Sequence, residues 1–411
     1  MSMNLFIIPS WYPSQENPIA GIFFKEQAAS IAEFDNNIQV GVSLWGQSDP
    51  SLVLNKNISA SVKNILVSLA RSKTTSILSV EKNLHEIYTP SLSWTHKVLN
   101  GNINRIVEAN LLNLADFEKK VGKVNIIHAH VSYPAGYIAM KLAQIRKIPY
   151  IITEHMGPFP FPSFLTSKGE LNPFLSEPIS RASRTLAVSP KLADDIHSFG
   201  FKRPLFIPNV INEGFFNIDK PVDSAPFKFF TLANLSPEKG IDDLLQAIRI
   251  ITKKHLQVTF NIGGGGPLLE LYQKKTSDLN IEKIVNWLGP LTREEAREQY
   301  HRCNAFILPS HGETFGVVYA EAIACGKPVI ATRCGGPECI VNEKNGLFAE
   351  IGNPNDLAEK MDCLIKYYHQ YQPDTIRKGF EEKFSKQAVI PQILEVYRTI
   401  SKNWQIDERT I

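Results

Sequence analysis

Short apolar, β-branched runs alternate with helix-patterned stretches along most of this chain, and they do so in two separate series. The first comprises Asn4–Pro9, Ile38–Leu44, Asn125–His130, Tyr150–His155 and Thr185–Ser189. The second starts at Lys228 and continues through Val258–Ile262, Ile284–Leu288, Ala305–Leu308, Val329–Ala331 and Gly346–Ala349. Strands that alternate with helices pair in parallel and carry the helices on their faces, which predicts a doubly wound α/β fold. A chain of 411 residues exceeds one ordinary hydrophobic core, so two domains of about 200 residues each are expected. Ile207-Pro208-Asn209 closes the first series and Asp219–Pro226 is proline-rich, placing a hinge near 210–225.

Within the second series, residues 305–332 read AFILPSHGETFGVVYAEAIACGKPVIAT. Ala305–Leu308 is an extended run ended by Pro309, the loop Ser310–Gly316 is small and polar, and Val317 starts a helical pattern. Gly326 and Pro328 stop that helix after about three turns and Val329–Ala331 resumes a strand, so the segment is one βαβ unit. Glu313 then lies in the loop at the carboxyl end of a strand. Glu321 lies about two turns along the helix, since eight residues rise roughly 12 Å. Carboxylates so separated do not share a proton; they suit two places on an elongated, hydroxyl-rich ligand. Between them the amides of Phe315, Gly316 and Val317 offer an anion site at a helix start. Taken alone, the same residues also fit a solvated helix face and a satisfied loop acid.

The carboxylate spacing, the HGETFG loop and the Gly-Lys-Pro-Val-Ile exit together resemble the retaining glycosyltransferases of family 4, which have the two-domain GT-B architecture. Further matches occur in the same order: PSWYPSQENPIAGIFFKEQ near the start, IIHAH at 126–130, IPNVIN at 207–212, LANLSPEKGIDDLLQA at 232–247 and NIGGGGPL at 261–268. The resemblance spans nearly the whole chain. It implies two Rossmann-like parallel-sheet domains facing a central cleft, with 1–212 on the acceptor side and 213–385 holding the nucleotide sugar. It also implies a helix in 386–411 that crosses back to the first domain, for which QAVIPQILEVYRTISKNW at 387–404 is suited.

Composition is consistent with this. With 43% hydrophobic and 21% charged residues the chain is an ordinary globular protein. No stretch approaches the ~18 apolar residues of a membrane span, and Met3–Ile8, ended by Pro9, is too short for a secretory signal core; a cytoplasmic protein is expected. The five cysteines, Cys303, Cys325, Cys334, Cys339 and Cys363, form no Cys-x-x-Cys pair and read as reduced packing residues. A net charge of +3 is too small to imply nucleic acid.

Ligands of open α/β sheets gather at the carboxyl ends of strands. There, Ser236–Gly240 follows the strand Phe229–Ala233 and precedes a helix with the apolar stripe Leu244, Leu245, Ile248 and Ile251. Lys239 thus brings a cation to a helix amino terminus that already favours phosphate, although a solvated loop lysine fits the spacing equally. The resembled family has an arginine five residues before this lysine, the two holding the donor diphosphate; this chain has Asn234, a hydrogen-bond donor without charge. Gly263–Gly266 permits close backbone approach but lacks the third glycine and the acid of a dinucleotide fingerprint, which argues against NAD. By resemblance Gly264 lines the nucleotide side and the Leu288 backbone, in Trp287-Leu288-Gly289, meets the base; a plain turn is the other reading of the glycine run.

In the first series, Gly21 opens a helix after a polar loop, where glycine suits either close approach to a phosphate or helix packing. His128 and His130 alternate on one strand and face one side. No convincing cluster of further ligands makes them a zinc pair, and a buried, hydrogen-bonded histidine is the commoner case. The resemblance assigns His130 to the transferred sugar, with His155 and Glu154, at the end of Tyr-Ile-Ile-Thr-Glu-His, as further contacts to sugar or acceptor. Met156–Pro178 is dense in proline and phenylalanine and shows no regular period; Phe159, Phe161, Phe164 and Phe174 suit a lid, a lipid contact or a satellite core. Ser61–Lys73 sets Val62, Leu66 and Leu69 at helical spacing beside Lys63, Arg71 and Lys73, a pattern for an anionic membrane surface at the inner face or for a core-facing helix.

The implied reaction is retaining hexosyl transfer from a UDP- or GDP-sugar to a hydroxyl of a glycan, glycolipid or small acceptor, in polysaccharide or glycolipid biosynthesis. Glu321 would hold the ribose and Glu313 the sugar hydroxyls, while Lys239 and the amides near Gly21 and Phe315–Val317 would neutralise the diphosphate. No cofactor or metal is expected, since no Asp-x-Asp motif occurs. A nucleotide-sugar epimerase of the same architecture and a non-catalytic nucleotide-sugar-binding subunit remain as alternatives.

Overall fold

The computed structural model describes residues 3–15, 17–47, 49–54, 59, 61–65, 75–95, 98–219, 225–255 and 257–410. The chain forms two compact units: Met1–Val188 with Ala193–Val210 and Val389–Ile411, and Ile211–Ala388 with Ser189–Leu192. Residues 220–224 of the expected hinge lie outside the described residues.

The first unit carries β1 (Met3–Pro9), α1 (Ile22–Phe34), β2 (Ile38–Leu44), β3 (Ser76–Glu81), β4 (Leu84–Tyr88), α2 (Ile103–Val121), β5 (Ile126–His130), α3 (Tyr137–Arg146), β6 (Tyr150–Glu154), α4 (Pro173–Arg181), β7 (Arg184–Ala187), α5 (Pro190–Ser198) and β8 (Leu205–Phe206). They build one sheet in the order β3-β4-β2-β1-β5-β6-β7-β8. β1 pairs in parallel with β2 and β5, with Leu5 opposite Ile126. Because successive side chains point to opposite faces, Leu5 and Ile7 enter one apolar cluster with α1, and Phe6 and Ile8 enter another with α2 and α3. A strand covered on both sides must be apolar throughout, which is why β1 reads as a continuous run.

The second unit holds β9 (Phe227–Leu232), α6 (Ile241–Ile251), β10 (Val258–Gly263), α7 (Leu269–Asp278), β11 (Val285–Gly289), α8 (Arg293–Arg302), β12 (Ala305–Ile307), α9 (Val317–Ala324), β13 (Val329–Thr332), β14 (Gly346–Ala349), α10 (Pro354–Lys366) and α11 (Pro373–Phe384). Its six strands run in the order β11-β10-β9-β12-β13-β14, each pairing in parallel with its neighbours. Order reverses beside β9, and such a switch point is where loops part to admit a ligand.

The last helix, α12 (Lys386–Thr410), starts in the second unit and continues in the first, where Val389, Ile390, Ile393, Leu394 and Tyr397 join the cluster built on Leu5 and Ile7.

Two elements depart from the sequence expectation, and a third lies mostly outside the described residues. The β3–β4 hairpin, absent from the expected series, makes the first sheet mixed, β3 pairing antiparallel with β4. All six β3 residues are exposed, so the apolar alternation that reveals a half-buried strand never arises there. The Met156–Pro178 segment contains most of α4, begun by Asn172, whose side chain accepts from the Phe174 amide, with Pro173 at the first position. Phe164 and Phe174 close a satellite core on Tyr133 and Tyr137, Phe159 is buried, and Phe161 is 39% exposed. In the Ser61–Lys73 pattern Val62, Lys63 and Ile65 are exposed, while Leu66, Leu69, Arg71 and Lys73 lie outside the described residues.

Leu394, 1% exposed in this core, is a direct test of α12 as part of the first unit. Leu394→Ala removes buried apolar volume and is expected to cost about 2–5 kcal/mol, read as a fall in the urea midpoint.

Candidate functional site

In the second unit the loops leaving the strand ends are stitched together by their backbones. Leu235 N donates to Gly265 O at 2.8 Å, Gly264 N to Gly289 O at 2.7 Å and His311 N to Glu238 O at 2.7 Å. Gly264 sits at φ +120°, and a Cβ there would stand 1.8 Å from the Ala233 carbonyl oxygen, so the two loops touch only because this residue has no side chain. Leu288, at the end of β11, is half-buried beside this junction.

The same stitching brings Lys239 to Glu313. Lys239 follows β9 and Glu313 follows β12, and Lys239 Nζ lies 2.8 Å from Glu313 Oε1. Ser310 Oγ donates to that oxygen at 2.9 Å, and Thr332 Oγ1 donates to the Ser310 carbonyl, tying the carboxylate to the end of β13. His311 adds a 2.6 Å contact between its Nε2 and Asp243 Oδ2 on α6. Cys334 lies close enough to feel Glu313 and Lys239; burial, chiefly, pushes its thiol up to about 11 and keeps it protonated.

Glu321 occupies the fifth position of α9, a little over one turn in rather than two, because the helix begins at Val317 and has only eight residues. It is 8% exposed, and Tyr300 OH lies 3.1 Å from its Oε2. No side chain caps α9; Gly316 caps it in a left-handed conformation. The first amides of a helix have no intrahelical partner, so Gly316 and Val317 present donors beside the carboxylates. The Phe315 side chain is buried against Phe384, leaving its backbone as the part that faces the loop. Asn234 is exposed, and its Oδ1 lies 3.0 Å from where a Cβ on Gly266 would stand, which places it on the glycine loop.

The first unit assembles a second group. Gly21, at φ +64°, caps α1, and a Cβ there would stand 2.5 Å from the Trp11 carbonyl oxygen, so glycine is required for the loop to turn into the helix. Phe24 of α1 lies over the His130 ring with centroids 4.6 Å apart, and Phe23 lies 5.3 Å from His155. His130 Nδ1 and His155 Nε2 are 3.2 Å apart. One of these nitrogens donates to the other, so the remaining pair, His130 Nε2 and His155 Nδ1, consists of one donor and one acceptor whichever tautomers are chosen. Neither has a protein partner among the described residues.

Their neighbours divide differently from the sequence expectation. His128 is saturated, by Tyr397 OH at 2.6 Å and Thr153 Oγ1 at 2.7 Å, and is a structural histidine. His130 is fully enclosed, whereas His155 is half-buried and retains surface. Glu154, expected as a contact, is fully enclosed too: its carboxylate accepts from the amides of Ser132 at 2.9 Å, His155 at 2.8 Å and Met156 at 2.7 Å, and from Ser132 Oγ. Burial raises its pKa against the pull of those donors. Glu154 therefore fixes the loop that carries His155. Ser132 and Tyr300 carry no signal in local spacing, because each meets its partner on another element, whereas Ser310 meets Glu313 within one loop.

The family described as Glycosyl transferases group 1 matches residues 216–380, and Glycosyltransferase Family 4 matches residues 85–215. An uncharacterized glycosyltransferase of Methanocaldococcus jannaschii is 30% identical over 299 residues, covering 69% of this chain and 79% of that protein. Among solved structures, sucrose-phosphate synthase from Thermosynechococcus elongatus superposes with a TM-score of 0.72 at 17% identity, over 97% of this chain and 99% of the other. Anabaena HepE in complex with UDP-glucose gives 0.66 at 18% identity, over 97% and 100%. These two likenesses establish the fold, GT-B.

Burial holds His128 and His155 at about 3 and His130 well below its ordinary value. The unfolded chain therefore takes up protons first as pH falls through about 6.5, so stability rises with pH across that range and is lost progressively below it. Urea midpoints measured from pH 8 to 5 are expected to hold above about 7 and to drop below 6, before ordinary carboxylates titrate.

Proposed function

The chain belongs to the group 1, family 4 glycosyltransferases, and we propose that it is a retaining, metal-independent hexosyltransferase using a UDP- or GDP-sugar. The observation that carries this reading is the meeting of Lys239 and Glu313 at 2.8 Å where two strand-end loops join, with Glu321 on the helix that follows. A nucleoside-diphosphate sugar needs a cation and amides for its phosphates and carboxylate acceptors for its hydroxyls, and this corner of the second unit supplies both. In this reading Glu321 accepts the ribose hydroxyls and Glu313 those of the sugar. Lys239 and the amides of Gly316 and Val317 stabilise charge on the departing diphosphate. Gly264 and the Leu288 backbone border the base.

In the proposed step the bond between the anomeric carbon and the diphosphate oxygen breaks. The acceptor oxygen bonds to that carbon on the same face, and its proton passes to the leaving phosphate. No side-chain nucleophile is then required. The half-buried His155 ring supports a sugar contact in the first unit, with His130 behind it and the Gly21 helix start as an anion contact. The acceptor is a hydroxyl of a glycan, glycolipid or small molecule, consistent with polysaccharide or glycolipid biosynthesis. No helix among the described residues is long and apolar enough to cross a membrane. Exposed Val62 and Ile65 beside Lys63 support a peripheral contact with acidic lipid at the cytoplasmic face.

One observation favours a second reading. Asn234 brings no charge where the family has arginine, which suits a subunit that binds donor without turnover.

Nucleotide release from UDP-, GDP- and ADP-sugars, counted by mass spectrometry, tests the proposal. One donor is expected to be turned over. Glu321→Gln should raise its KM by about tenfold or more, and Lys239→Ala should lower kcat by about a hundredfold with a smaller change in KM. Binding of a donor with no release under any acceptor would support the second reading, and unchanged kinetics in both variants would remove these residues from the site.

A further inference from the structure

Glu321 is held in place by more than its helix. Tyr300, in the last turn of α8, is fully buried, and Ala296 and Tyr300, one turn apart, are the buried residues of that helix. Its hydroxyl lies 3.1 Å from Glu321 Oε2 and 3.1 Å from the Val318 carbonyl oxygen. Val318 and Glu321 are three positions apart and so share one face of α9, which puts both acceptors within reach of the phenol's one proton, shared between the first turn of the helix and the carboxylate. The ring itself is wedged: Phe230 and Phe306 lie 5.1 and 5.5 Å away by centroids, and Phe216 lies 6.0 Å away. Burial, reinforced by the neighbouring Glu321 charge, keeps the phenol protonated, so it is always a donor.

A buried carboxylate gripped on one oxygen has lost most of its rotational freedom before any ligand arrives, and preorganisation of that kind lowers the cost of binding. We propose that Tyr300 is a positioning residue for donor binding, fixing the Glu321 carboxylate in the orientation that receives the ribose hydroxyls. The inference rests on the reading of Glu321 as the ribose contact. A purely structural tyrosine would instead stabilise the second unit and leave nucleotide affinity unlinked to Glu321.

The test is a double-mutant cycle on the full chain, with UDP, GDP and ADP titrated by calorimetry into wild type, Tyr300→Phe, Glu321→Gln and the double variant. Phenylalanine keeps the ring and its aromatic neighbours and removes only the hydroxyl. For the diphosphate that wild type binds best, Tyr300→Phe is expected to weaken binding about tenfold. It should leave kcat at saturating donor within about twofold, because the oriented carboxylate acts on the ribose and not on the reacting carbon. In the Glu321→Gln background the same change should alter affinity less than about twofold, since the group it positions is already altered. Equal weakening in both backgrounds, or a fall in kcat without a change in affinity, would overturn the inference while leaving Glu321 as the ribose contact. Wild-type affinity in Glu321→Gln, or no binding of any diphosphate to wild type, would overturn the reading of the site and the inference with it.

Discussion

The ion pair between Lys239 and Glu313 organises the second unit's strand-end loops around one point. Neither residue is fully buried, and neither belongs to a strand or an α-helix. Their meeting depends on the backbone bonds between the 233–240, 263–266 and 309–316 loops and on Thr332 and Ser310 anchoring the second of these partners to the sheet. An isolated surface pair of this type contributes little to stability. Its value, in the proposed reading, lies in placing a cation and a carboxylate side by side where two parallel strands end, as opposite partners for a phosphate and its sugar.

Much of this frame was legible in the sequence because the physics is local. Fully covered strands such as β1 and β12 must be apolar, Gly326 and Pro328 must end α9, and Thr292 with Glu295 makes the capping box that starts α8. The two carboxylates and Lys239 were visible as motif residues on strand-end loops. What spacing does not carry is the encounter of residues far apart in the chain: Lys239 with Glu313, Tyr300 with Glu321, Ser132 with Glu154 and His128 with Tyr397. Strand β3 escaped for the opposite reason, since a strand exposed along its length has no core face to imprint a pattern.

The two units deploy buried polar groups differently. In the first, His128, His130 and Glu154 are enclosed: His128 and Glu154 are satisfied by protein partners, and the pair of His130 with the half-buried His155 keeps one donor and one acceptor without a protein partner among the described residues. Fully satisfied groups of this kind stiffen the ends of β5 and β6. In the second unit the enclosed carboxylate is Glu321, held by a phenol within an aromatic core of Phe216, Phe230 and Phe306. A rigid apolar wedge behind a polar contact is an economical way to keep that contact oriented without burying further charge.

The central claim, that this corner of the second unit holds a nucleoside-diphosphate sugar, is tested most directly by a crystal structure of the protein with UDP or GDP bound. The account predicts the ribose hydroxyls on Glu321, the terminal phosphate at Lys239 and the amides of Gly316 and Val317, and the base against the backbone near Leu288 and Gly264. A nucleotide seated elsewhere, with the Lys239–Glu313 pair intact and untouched, would contradict it.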